Sequence, residues 1–182
     1  MKYILKHLSI VNRHRWEVFK LSIKVGIPFR GLLHDLSKYS FTEFSESVKY
    51  YKISKGEYSP ILAAKKDLGY SRCWLHHKGR NPHHYEYWYD AAGPIKTPII
   101  PLKYMLEMIC DRIAASKTYN KKTYNNSMPL DYFNKEKKYM TMNPKLIDFV
   151  EEVFKELSKK GEVVLNKKNI KKIYLKHIKW FI

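Results

Sequence analysis

The amino-acid sequence predicts an all-α fold: one compact helical domain over residues 1–160, with a basic amphipathic helix over 161–182 packed on it. Three observations carry this expectation. Apolar residues recur at spacings of three, four and seven along most of the chain, which places them on one face of a helix. Prolines stand repeatedly at the head of such stretches, where a helix has no use for the N–H that proline lacks. No alternation of apolar and polar residues lasts long enough to build a strand.

Residues 2–24 read as the first helix, with Tyr3, His7, Ile10, His14 and Leu21 on one face. Gly26 and Pro28 punctuate the chain, and Pro28 opens a short helix to about Leu36 that carries His34 and Asp35. Residues 40–43, Ser-Phe-Thr-Glu, have the form of a capping box, in which serine and glutamate side chains each take a free backbone N–H. A helix therefore runs from there to about Lys55, and Gly56 interrupts it. Ser59-Pro60 starts a helix expected to reach His76-His77 and to stop at Gly79. Asn81-Pro82 then restarts a short aromatic helix through HHYEYWY. Residues 91–101 hold Gly93, Pro94, Pro98 and Pro101 and read as a loop.

From Pro101 to Tyr119 the stripe Leu102, Met105, Leu106, Ile109, Ile113 marks a strong amphipathic helix. Residues 120–128 are polar and loop-like, and Pro129–Tyr139 and Pro144–Lys160 are two further helices. Residues 163–182 carry six lysines and no acid, interleaved with Ile170, Ile173, Tyr174, Ile178 and Trp180. Such a segment packs its apolar face and shows its lysines to solvent.

Composition narrows the function classes. No apolar run approaches the length of a membrane span, and Lys6, His7, Asn12 and Arg13 interrupt the N-terminal stretch, unlike a signal peptide. A cytoplasmic protein without membrane partners is expected. Cys73 and Cys110 form no CxxC pair, so reduced, buried thiols are expected rather than a disulfide framework or a zinc ribbon. The formal charge is +18, but 29 of the 35 basic residues are lysine and six are arginine. Scarce arginine argues against base-specific reading. A solvated lysine surface accounts for this charge by itself; because such a surface also attracts polyanions, a phosphorylated small molecule or nucleotide is the expected partner, with nucleic acid an alternative through the same basic surface.

The histidines are the chemical signal. Five of eight fall in His34-Asp35, His76-His77 and His83-His84. Imidazole and carboxylate together suit borderline or hard divalent cations. Asp111 lies in the amphipathic helix beside Ile109 and Ile113, and a charge facing inward there needs a partner. Each signal is weak alone: Asp111 could pair with a lysine or arginine, and His7 and His14 could be core histidines satisfied by hydrogen bonds. Their order is more informative, with a His, a His-Asp, a His cluster and an Asp on successive predicted helices.

That order resembles the HD superfamily of metal-dependent phosphohydrolases, and more closely an uncharacterised HD-like family of bacteria and their phages. The stretches that carry the resemblance are RHRWEVF (13–19), GIPFRGLLHDLSKYSFTEF (26–44), WLHHKGRNPHHYEYW (74–88) and EMICDRIAAS (107–116). It implies an all-helical fold around a divalent metal (Mn, Fe, Co, Ni, Zn or Mg), as one or two ions. Carried over residue by residue, it implies that His14, His34, Asp35 and Asp111 are the metal ligands, with His7 as a competitor for the first position. His76, His77, His83 and His84 occupy the region whose histidines would hold a second metal or a substrate phosphate.

A metal-dependent phosphohydrolase acting on a phosphate ester, a nucleotide among the candidates, is the expected function. A nucleotide- or nucleic-acid-binding module and a non-catalytic metal-binding accessory protein are the alternatives on the same scaffold. In the hydrolytic reading Lys38, three residues after Asp35, and Arg80 beside the second His cluster neutralise phosphate or leaving-group charge. Tyr85, Tyr87, Trp88 and Tyr89 either stack on a base or pack in the core. Glu43 is expected to cap its helix.

Overall fold

A computed structural model describes residues 2–178. Of these, 77% lie in helical turns and none in a strand. The α-helices are α1 (Lys2–Lys24), α2 (Pro28–Leu33), α3 (Phe41–Ser54), α4 (Pro60–Leu68), α5 (Arg72–Arg80), α6 (Leu102–Asn120), α7 (Met128–Glu136), α8 (Pro144–Lys160) and α9 (Lys167–Ile178). Pro28, Pro60, Pro129 and Pro144 all sit in the first turn of a helix, as their missing N–H favours. Trp180 of the expected C-terminal stripe lies outside the described residues.

Four boundaries differ from the sequence reading. Helix α2 stops at Leu33, so His34 and Asp35 stand in the break before a 3-10 turn at Leu36–Tyr39. The expected single helix from Pro60 to His77 is two. Gly69 takes a left-handed conformation (φ +78°) that ends α4, and Ser71 accepts a hydrogen bond from the Trp74 N–H to start α5, the two standard helix-boundary devices. Gly79 does not end α5, which runs to Arg80, where the Asn81 side chain bonds back to the His77 carbonyl (2.8 Å). The aromatic helix after Pro82 shrinks to one 3-10 turn at Tyr85–Trp88, leaving His83 and His84 in a turn.

The main core is assembled from α1 (Val18, Leu21), α6 (Met105, Leu106, Ile109, Ile113), α7 (Phe133) and α8 (Leu146, Phe149, Val150, Val153, Phe154, Leu157). Ile170, Ile173, Tyr174 and Ile178 of α9 belong to the same cluster. Tyr174 also donates to the Ile100 carbonyl (2.8 Å), and Lys176 and His177 both reach Glu152 of α8. A smaller cluster of Tyr50, Ala63 and Ala64 joins α3 to α4. Helices α1, α2, α3, α5 and α6 meet where the two parts join, and the histidines lie among them. Cys73 and Cys110 are both buried and unpaired.

Candidate metal centre

Helix α1 buries a stripe of His7, Val11, His14, Val18 and Leu21, which is the 3.6-residue period acting on a mixed sequence. His14 lies at the level of Asp111 on α6, with its Nε2 3.0 Å from Asp111 Oδ1. His7, two turns earlier, packs between the rings of Phe44 and Tyr51, each 5.6 Å away. Of the two competitors, His14 is the one that joins the cluster.

The His34-Asp35 pair is held by α1 as well. Gly31 seats α2 on α1: a Cβ there would overlap the Ser22 side chain and lie 3.2 Å from Phe19 Cα. Arg15 of α1 then donates to the last carbonyls of α2, from Nε to His34 O and from Nη2 to Leu32 O, both at 2.8 Å. Helix ends leave such carbonyls without partners, and a guanidinium fork satisfies two at once. Asp35 turns the chain with φ +55°, a left-handed conformation that aspartate tolerates better than most residues. The turn aims its carboxylate inward, where Asp35 is 1% exposed.

Asp35 is the hub. Its Oδ2 lies 3.1 Å from His34 Nε2 and 3.7 Å from His14 Nε2, and His34 Nε2 is also 3.4 Å from Asp111 Oδ1. Its Oδ1 lies 3.3 Å from His77 Nε2 and 3.4 Å from His83 Nε2. The two oxygens of one carboxylate thus face two different groups. The first is His14, His34, Asp35 and Asp111, and the second is Asp35, His77, His83 and His84; within each group the ligand atoms lie within 4.8 Å of one another. Lys38 Nζ sits 2.6 Å from Asp35 Oδ2.

Two buried glutamates stand behind the histidines. Glu107, one helical turn before Asp111 on α6, places Oε1 3.1 Å from His34 Nδ1 and 3.3 Å from His83 Nδ1. Arg30 grips its Oε2 through Nε (2.7 Å) and Nη2 (2.5 Å), and its guanidinium lies 4.4 Å over the Tyr104 ring. Glu43 holds His76 Nδ1 (2.7 Å) with Oε1 and His77 Nδ1 (2.8 Å) with Oε2. The capping box is therefore half formed: Ser40 Oγ accepts from the Glu43 N–H, but the Glu43 carboxylate goes to the histidines.

The electrostatics follow from this packing. Burial disfavours charge on Asp35, yet the charges of His34, Lys38 and His77 outweigh it and hold the carboxyl well below its usual range. Asp111 is likewise held well below its range, against burial, by His14 and His34. Glu107 falls to about 2: burial opposes ionisation, but contacts from His34 and His83 prevail. Burial also opposes the His34 imidazolium, but Asp35, Asp111 and Glu107 raise its pKa well above the ordinary value. His14 and His84 are lowered, chiefly by burial, with Lys38 adding to the effect at His14 and His83 at His84.

The donor set fits a divalent cation. Both Asp35 oxygens, His83 Nε2 and His84 Nε2 are buried without a well-formed hydrogen bond. Buried polar atoms normally find partners, and here the orphans converge on one space. A mixed imidazole and carboxylate shell is the chemistry of borderline divalent metals. Asp35 Oδ2 carries a positive charge against it, the Lys38 ammonium at 2.6 Å.

The structure thus brings together His14, His34, Asp35, Lys38, His77, His83, His84 and Asp111. It does not bring in His76, whose ring is held by Glu43 and partly exposed, or Arg80, which is exposed at the end of α5 and forms no ion pair among the described residues. Among the aromatics, Tyr85 and Trp88 pack on the main core, while Tyr87 and Tyr89 are exposed. Sequence reasoning missed Glu107. The signal was present, since Glu107 lies four residues before Asp111 and shares its face, and an inward-facing charge there needs a partner just as Asp111 does.

A family described as "Family of unknown function (DUF5662)" matches residues 3–156 of the chain. No curated protein and no solved structure matches it.

Proposed function

The chain belongs to the DUF5662 family, whose function is unknown, and we propose that this member is a divalent-metal-dependent phosphohydrolase of HD-like type acting on a phosphate ester. The observation that carries the reading is Asp35, whose two buried oxygens face two separate sets of imidazole and carboxylate donors. His14, His34, Asp35 and Asp111 would hold one cation, and Asp35 with His77, His83 and His84 a second. Such cations lower the pKa of a bound water toward neutrality and polarise a phosphoryl oxygen. The protein's own residues do the rest. Asp35 and Asp111 remain ionised and supply the negative charge that retains cations. His34 and Asp35 are sealed from water, whereas the side chains of Lys38 and Asp111 keep 30% and 18% of their exposure. A phosphate therefore approaches from the Lys38 side, where the ammonium can leave Asp35 and neutralise a phosphate oxygen.

The test is metal content by mass spectrometry alongside hydrolysis of a panel of phosphate monoesters and nucleotides with Mn or Co added. The expected outcome is two ions per wild-type chain and measurable turnover. Asp35→Asn keeps the side-chain shape and the tolerance of the left-handed turn, and it should lose both metal and turnover. Lys38→Ala should keep metal and lose turnover by about 10-fold or more. Wild-type metal content in Asp35→Asn would sink the assignment of the site.

A further inference from the structure

We infer that Glu107 is a shared positioning residue that sets both halves of the proposed centre through one carboxylate oxygen, so that His34 and His83 are aimed together. The inference rests on the metal reading above but concerns a residue, Glu107, that would not itself touch a cation.

An imidazole that offers Nε2 to a metal uses its other nitrogen to fix the ring, and the partner on that nitrogen decides both orientation and tautomer. His34 and His83 come from different parts of the chain, the break after α2 and the turn after α5. Their rings are 4.5 Å apart, and the Nδ1 atoms of both face the same atom, Glu107 Oε1, at 3.1 and 3.3 Å. The Nε2 atoms point the other way, at Oδ2 and Oδ1 of Asp35 respectively. One carboxylate oxygen behind, and one carboxylate in front, thus fix two rings. Glu107 cannot swing, because Arg30 holds its other oxygen by two nitrogens and is itself seated on Tyr104. His34, His83 and Glu107 also lie close enough together to surround a cation. However, the atoms that meet there are two Nδ1 donors and Oε1 of a carboxylate whose other oxygen is held by Arg30, which is a hydrogen-bonded arrangement.

Glu43 supplies the internal control. It also orients a histidine through Nδ1, but of the two groups around Asp35 it touches only the second, through His77. Removing Glu107 should disturb both halves, and removing Glu43 only one.

The experiment uses the full chain and manganese alone as probe. Stepwise manganese affinity is measured for wild type, Glu107→Ala, Glu107→Gln and Glu43→Ala, with circular dichroism to confirm that each is folded. Glu107→Ala is expected to weaken both binding steps by about 10- to 100-fold, and Glu43→Ala one step only. Glu107→Gln retains an acceptor oxygen and should recover part of the loss. A second readout needs no metal. In the metal-free wild type, the Nδ1–H protons of His34 and His83 should appear as slowly exchanging downfield nitrogen-15-edited NMR signals, and both should vanish in Glu107→Ala. Unchanged manganese affinity, loss confined to one step, or persistence of either NMR signal in Glu107→Ala overturns the inference. A wild type that binds no manganese yet shows both signals, lost together in the variant, overturns the metal reading and leaves the positioning role of Glu107 standing.

Discussion

His34 is the residue through which pH should act most directly on the centre. Its pKa is raised, so folded protein keeps the proton above the ordinary imidazole value, and the stability this contributes is lost as pH rises through the folded pKa. His7, His14 and His84 behave oppositely. Burial lowers them, His7 to about 4, so below the ordinary value the unfolded chain binds protons that the folded chain refuses. Between roughly pH 4 and 6.5 stability therefore rises with pH, and above about 6.5 the His34 contribution declines. The melting temperature of metal-free protein should peak near pH 6.5, measured by a thermal melt series in chelator; a monotonic rise to pH 8.5 would contradict the assignment of His34. Metal must also displace the His34 proton, so manganese affinity should climb as pH rises above about 6.5.

At the scale of elements, the position of the His-Asp pair depends on how closely α2 lies on α1. Gly31 has an ordinary negative φ, so its role is space: a Cβ would enter the Ser22 side chain and crowd the Phe19 backbone. Gly31→Ala should push α2 outward, stretch the Arg15 contacts to the Leu32 and His34 carbonyls, and misplace Asp35. Overpacking of this kind costs about 1–3 kcal/mol, to be read by chemical denaturation, and metal affinity should fall with it. Adding Ser22→Gly removes the two closest obstructing atoms, leaving only the milder Phe19 contact, and should restore most of the affinity; failure to restore any would mean that Gly31 acts in some way other than close approach.

At the scale of the whole molecule, the family match ends at residue 156, but the core does not. Ile170, Ile173, Tyr174 and Ile178 of α9 are buried against α8 and the Ile100 segment. Each such side chain contributes about 1.5–3 kcal/mol on burial, against a total stability of about 5–15 kcal/mol for a domain. Truncation after Lys160 should therefore give a chain that is unfolded or aggregated at 25 °C, read by circular dichroism and size-exclusion chromatography. A monomeric, cooperatively melting truncation would show that α9 is an accessory. The opposite face of α9 presents Lys167, Lys168, Lys171 and Lys172 to solvent, and it contributes to the charge of +18. No helix among the described residues is long and apolar enough to cross a membrane.

The sequence by itself determined the helical class, the proline-started helices and the residues offered as ligands, because these depend on local periodicity and on side-chain chemistry. The reach of α1 and α8 was legible for the same reason. The break at Gly69–Ser71 could have been read from a glycine followed by a capping serine, but the apolar residues on either side made one continuous pattern. Tertiary structure alone decided the rest. His7 and His14 share a helix face, and only the packing of α6 against one and of Phe44 and Tyr51 against the other separates them. Within the doublets, the packing of α3 on α5 chose His77 over His76 for Asp35 and turned Glu43 from a cap into a clamp. The bridging position of Asp35 arises because a left-handed residue outside any helix can present two oxygens to groups drawn from distant parts of the chain, from His14 to Asp111. Such long-range convergence leaves no periodic trace for sequence to carry.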